Sequence, residues 1–126
     1  MPKIFLSTVL ALAAILGVAL GARAAQPFAG QTFEVAQAAG KTILIDVRAS
    51  WCPVCKRQKP IIEAIEKERP DLVVYEVDFD TAKDVLRRFQ VQRQSTLIVF
   101  KGKQETGRST GDTNADSIEA LLAKSI

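Results

Sequence analysis

The chain has 126 residues, 48% of them apolar and 25% charged, a length and balance that suit one globular domain and exclude both a disordered chain and a multidomain layout. The formal charge of +3 owes two of its 17 basic residues to Lys3 and Arg23; without them, 15 basic residues face 14 acidic ones. With no block of like charges elsewhere, this balance excludes a nucleic-acid or membrane-surface footprint.

The first element is an address. Lys3 gives a short positive start, residues 4–20 carry no charged side chain, and Ala22-Arg23-Ala24 sets small residues where a signal peptidase reads. Residues 1–24 are therefore expected to be a cleaved secretory signal, leaving a domain over residues 25–126. The alternative is a retained membrane anchor, since about 17 to 20 apolar residues can span a bilayer as a helix. The small-residue site, with no stop-transfer cluster of basic residues behind it, favours cleavage. Export carries the chain to an oxidising compartment such as the bacterial periplasm, where a disulfide persists.

Residues 26–40 read as a lead-in segment and a small helix, with Thr32 as its cap and Gly40 as its stop. Thr42-Ile43-Leu44-Ile45-Asp46-Val47 is a largely β-branched run, as a strand covered on both faces requires. A helix is expected to start at Pro53, whose missing N–H falls among the unpaired donors of a first turn. Ile61, Ile62 and Ile65 form its apolar stripe, Pro60 predicts a kink and Pro70 ends it. Residues 72–77 make a second buried strand. Residues 81–89 make a helix with Val85, Leu86 and Phe89 on one face. Residues 96–100 make a third strand, which Lys101-Gly102-Lys103 turns into an edge strand reaching about Ser109. Residues 112–124 close the chain as an amphipathic helix carrying Ile118, Leu121 and Leu122. Strands alternating with helices, then a terminal hairpin, give an α/β fold around a central sheet.

The chemistry sits in Trp51-Cys52-Pro53-Val54-Cys55-Lys56, where the first strand meets the long helix. Two thiols at i and i+3 across a helix N-terminus have unequal surroundings. Cys52 is expected at the exposed cap, and Cys55 one turn in, facing the core. Unpaired N–H groups and the positive end of the helix favour the Cys52 thiolate; such sites lower a thiol pKa from about 8.5 into a range of roughly 3.5 to 7.5. Cys52 then attacks a partner disulfide and Cys55 displaces the product. Two other readings of C-x-x-C carry less weight. A zinc site needs about four ligands, whereas the chain has two cysteines and no histidine. A purely structural bridge over so short a loop stabilises little.

Over residues 28–126 these features resemble the thioredoxin superfamily: Ile43-Leu44-Ile45-Asp46-Val47-Arg48-Ala49-Ser50-Trp51-Cys52-Pro53-Val54-Cys55-Lys56, then Pro60, Val77-Asp78-Phe79-Asp80, Thr96-Leu97-Ile98-Val99-Phe100-Lys101 and Gly111. The resemblance implies a thioredoxin-like fold, a central mixed β-sheet flanked by helices on both faces. It also implies Cys52 as nucleophile, Cys55 as resolving thiol, and Asp46 as a buried acid assisting deprotonation of the second thiol. Independently, an acid inside an apolar strand is costly unless used or paired. Trp51 matches the tryptophan flanking the family's site, although core packing alone also accounts for a Trp there.

Three departures limit what the resemblance transfers. Thioredoxins carry Gly-Pro between the cysteines, and here Pro53-Val54 stands there, with no histidine to stabilise a thiolate further. That argues against a very strong oxidant. Glu76 stands where the family usually has lysine near its buried aspartate. It either faces Asp46, in which case two close acids raise one pKa, or it faces outward. Ser95 stands where the family nearly always has a cis-proline that shapes the substrate groove with Gln94 and Thr96. A cis bond without proline costs about 3 to 4 kcal/mol, so either the fold holds that strain or the loop is trans. Loss of the proline also leaves open a metal or iron–sulfur cluster on the thiolates, shared across a dimer.

The expected activity is that of a periplasmic thiol–disulfide oxidoreductase that reduces or exchanges disulfides in protein partners, with Trp51, Pro53, Val54, Gln94, Ser95 and Thr96 forming its groove. An upstream membrane dithiol donor would recharge it. No flavin or nucleotide fingerprint is present, so no dissociable cofactor is expected, and no metal site is assigned. A reading from another class is a binding module whose altered groove holds a protein or metal while the thiols turn over little.

Overall fold

The computed structural model describes residues 24–126; apart from Ala24, the expected signal segment lies outside the described residues. The elements run β1 (Gln26–Pro27), α1 (Gly30–Ala38), β2 (Thr42–Arg48), α2 (Pro53–Glu68), β3 (Leu72–Asp78), α3 (Lys83–Arg88), β4 (Thr96–Lys101), β5 (Gln104–Thr110) and α4 (Ala115–Ala123). They build one five-stranded sheet in the order β1-β3-β2-β4-β5. β1, β3 and β2 run parallel, while β4 and β5 are antiparallel to their neighbours, so the sheet is mixed.

Side-chain alternation along the central strands divides the core in two. Ile43, Ile45 and Val47 of β2 join Tyr75, Val77, Ile98 and Phe100 under Phe33 of α1 and Leu86 of α3. Leu44 of β2 joins Val74, Leu97 and Val99 under Ile62 and Ile65 of α2 and Ile118, Leu121 and Leu122 of α4. Every residue of β2 except Arg48 is buried, which explains its run of large aliphatic side chains. Burying each such side chain contributes about 1.5 to 3 kcal/mol. By the same alternation Asp46 shares the face of Leu44, beneath α2.

Several element ends differ from the sequence reading for local reasons. α1 is capped by Ala29 with no side-chain bond, and Thr32, expected as the cap, lies inside the first turn, its Oγ1 donating to the Ala29 carbonyl at 3.1 Å. Gly40 does end that helix. Its φ of +68° suits a residue without Cβ, and its N–H reaches the Gln37 carbonyl at 3.0 Å. α3 is shorter than expected because Asp78, Asp80 and Ala82 form a turn instead, with the Ala82 N–H on the Asp78 carbonyl. α4 starts at Ala115, because Asn114 Oδ1 accepts the Ser117 N–H at 2.9 Å and so supplies the cap. β1 is too short to leave a periodic signal; it is held by pairing with Tyr75 and Glu76.

Candidate active site

Cys52 is the N-cap of α2 and Pro53 its first residue. Cys52 and Cys55 form a disulfide with Cα atoms 5.3 Å apart. The Cys55 N–H donates to Cys52 Sγ at 3.1 Å, so an otherwise orphaned amide of the first turn is aimed at a sulfur whose negative charge it would stabilise after reduction. Exposure does not distinguish the two sulfurs as expected. Cys52 is 1% exposed and Cys55 3%, because Ala49 and both cysteines close into a small cluster against Val54 and Phe79. Their asymmetry lies in helix position and in that N–H.

The surrounding side chains are laid out by β2, α2 and the loops at the same end of the sheet. Trp51 is 54% exposed and its Nε1 donates to the Asp80 carboxylate at 2.9 Å. The ring is thus a surface feature pinned from outside rather than core packing. Pro53 is exposed beside it and Val54 half-buried. The Ser95 question resolves to trans, since the described residues contain no cis peptide. Ser95 instead takes φ +59°, the left-handed region that L residues enter at a cost. Its hydroxyl folds back onto the Gln94 carbonyl. Thr96 is buried, with Oγ1 donating to the Arg93 carbonyl at 2.7 Å. Gln94 is half-buried.

Asp46 lies 7% exposed, and its Oδ1 has no hydrogen-bond partner. A cavity of about 450 Å³ opens beside it, lined by Lys59, Ile62, Glu63, Glu66 and Glu76 among others. Register places Glu76 directly opposite Asp46 in the parallel β2–β3 pair, so the two acids share a face of the sheet, with the Glu76 side chain still 34% exposed. Glu76 binds Arg48 at 3.1 Å. Burial pushes the Asp46 carboxyl up to about 6; Arg48 pulls against this, while Glu76 and Glu66 push further. Burial raises Glu66 too, helped by Glu63 and Glu76. An acid titrating near 6 is mostly ionised at neutrality yet basic enough to accept a proton, which suits proton transfer. No group of three or more His, Cys, Asp or Glu among the described residues is arranged to hold a metal ion.

Three contributors escaped the sequence reading. Glu66 and Asp80 acquire meaning only through Asp46 and Trp51. Gln58 is the third: it is 1% exposed on the cysteine helix, and its Nε2 donates to the carbonyls of Asp112 at 2.8 Å and Ser95 at 3.3 Å. The signal for it existed, since positions 55, 58, 62 and 65 follow helical spacing on one face.

The family model described as Thioredoxin matches residues 25–124. Among curated proteins, a thioredoxin of Chlamydia trachomatis is 37% identical over 82 residues, 65% of this chain and 80% of that protein. Thioredoxin-2 of Saccharomyces cerevisiae is 33% identical over 95 residues, 75% of this chain and 90% of that protein. Among solved structures, Trxlp from Edwardsiella tarda is 40% identical and superposes with a TM-score of 0.75, over 79% of this chain and 98% of that one.

Proposed function

Since the chain belongs to the thioredoxin family and is a thiol–disulfide oxidoreductase, we propose that it acts after export to the periplasm, reducing or exchanging disulfides in protein partners. The observation that carries this reading is the pairing of Cys52 and Cys55 at the start of α2, with a helix N–H on Cys52 Sγ. In the reducing direction the Cys52 thiolate attacks a partner disulfide, forming a mixed disulfide and releasing one partner sulfur as thiolate. The Cys55 thiol gives its proton to the Asp46 carboxylate and attacks Cys52 Sγ, which releases the second partner sulfur. Two electrons pass to the partner, and the protein is left with its own disulfide. A dithiol donor must then reduce it, and for an exported protein that donor sits in or across the membrane.

A redox titration combined with an insulin-reduction assay tests the activity: the reading expects a two-electron couple and sustained turnover with dithiothreitol. Cell fractionation tests the place, with a mature chain starting at Ala25 expected in the periplasmic fraction. Binding of partners without turnover would point instead to a binding module.

A further inference from the structure

Register puts Ser95 at the same end of the sheet as the cysteines. Val47 of β2 pairs with Thr96 of β4, so Ser95 sits where β2 runs out toward Ala49, whose carbonyl accepts the Cys52 N–H at 3.2 Å. The segment after β5 reaches the same place, because the Gly111 N–H donates to the Ser95 carbonyl at 3.0 Å. Gln58 ties both loops to α2. It lies one turn beyond Cys55 on the same helix face, and its single amide nitrogen spans the Ser95 and Asp112 carbonyls. A buried glutamine is costly unless it is bonded; here Oε1 has no partner, and both bonds of Nε2 go to backbone 37 and 54 residues away. Because carbonyls and not side chains are held, the clamp fixes the path of the loop rather than the identity of its residues.

We propose that Gln58 is the positioning residue for substrate recognition: it locks the trans, left-handed Ser95 loop beside the dithiol and so sets how a protein disulfide is received. This rests on the proposed oxidoreductase function. The clamp acts on the wall that a polypeptide substrate must lie against, whereas a small disulfide needs only the sulfur. Removing the clamp therefore penalises protein substrates more than small ones.

The test compares Gln58→Leu and Gln58→Glu with the wild type, on insulin and on the small disulfide DTNB, with thermal unfolding measured alongside. Loss of two neutral hydrogen bonds is expected to raise KM for insulin by roughly 5- to 10-fold. The loss on insulin should exceed that on DTNB by at least about 5-fold. In Gln58→Glu a carboxylate faces two carbonyl oxygens when ionised but donates one bond when protonated. KM for a disulfide-bonded peptide should then rise with pH in that variant and stay flat in the wild type. Equal losses on insulin and DTNB, or a pH-independent KM in Gln58→Glu, would overturn the proposal even if Gln58→Leu folds poorly. Failure of the wild type to reduce insulin at all would overturn the functional reading along with it.

Discussion

On one flank of the cysteine helix lies Asp46, with an unpartnered oxygen beside a cavity walled by Glu66 and Glu76. On the other lies the Ser95 loop, whose carbonyl is bonded twice but whose backbone is held at φ +59°. The first flank is electrostatically unrelaxed and geometrically ordinary. The second is conformationally strained, and although its Ser95 carbonyl is bonded twice, Gln58 Oε1, a neutral oxygen, has no partner there. Stored electrostatic cost responds to pH and can move a proton; stored backbone cost is indifferent to pH and can only shape a surface. Under the proposed function the two flanks divide the work around one disulfide, with acid–base chemistry on the Asp46 side and recognition on the Ser95 side.

The comparison breaks most readily at Asp46 itself. Asp46→Asn keeps the shape of the flank and removes its proton acceptor, so resolution by Cys55 should slow by about 100-fold or more, while attack by Cys52 slows far less. Stopped-flow measurement of both steps checks this; equal slowing would make Asp46 a structural acid only.

The same flank governs stability against pH. Between about pH 4 and pH 6 the folded protein holds a proton on Asp46 that the unfolded chain has already lost, because burial raises that carboxyl to about 6. Stability therefore falls as pH rises through this window and levels off above it, by on the order of 3 kcal/mol from Asp46. Glu66, raised in the same direction, adds to the fall. Urea midpoints measured from pH 4 to pH 8 should show the decline in the wild type and a smaller one in Asp46→Asn. An identical decline in both would remove Asp46 as its source.

The strain at Ser95 itself answers to changes in backbone preference. Proline demands φ near −65°, so Ser95→Pro conflicts with the observed +59° and should cost about 2 kcal/mol or more rather than rebuild a proline-walled groove. Ser95→Gly, which accepts the left-handed region without penalty, should instead stabilise by up to about 1 kcal/mol at every pH. Thermal unfolding of the pair sharpens the contrast with Asp46, whose variant should change the pH slope. If proline is tolerated and glycine is not, the account of this loop is wrong.

Much of this arrangement was legible in the sequence, and the limits have physical causes. The strands declared themselves through buried aliphatic runs, and Asp46 stood out because an acid in such a run is exceptional. The i, i+3 cysteines behind Trp51 carried the chemistry directly. The exposure of Cys52 was misjudged, since closure by Ala49, Val54 and Phe79 is a tertiary event. The orientation of Glu76 depended on β2–β3 register, which alternation along one strand leaves open. The inward face of Gln58 could be read from its helical spacing with Cys55, Ile62 and Ile65, but its partners, 37 and 54 residues away, could not, and neither could the isomer at Ser95. No local pattern encodes such contacts.

The central claim is that Cys52 attacks and Cys55 resolves, and trapping tests it most directly. In Cys55→Ser the mixed disulfide has no resolving thiol, so intact partner should accumulate on the protein. Peptide mapping by mass spectrometry should place that partner on Cys52, and Cys52→Ser should trap nothing and turn over nothing. A partner found on Cys55 in Cys52→Ser, with none retained on Cys52 in Cys55→Ser, would contradict the account.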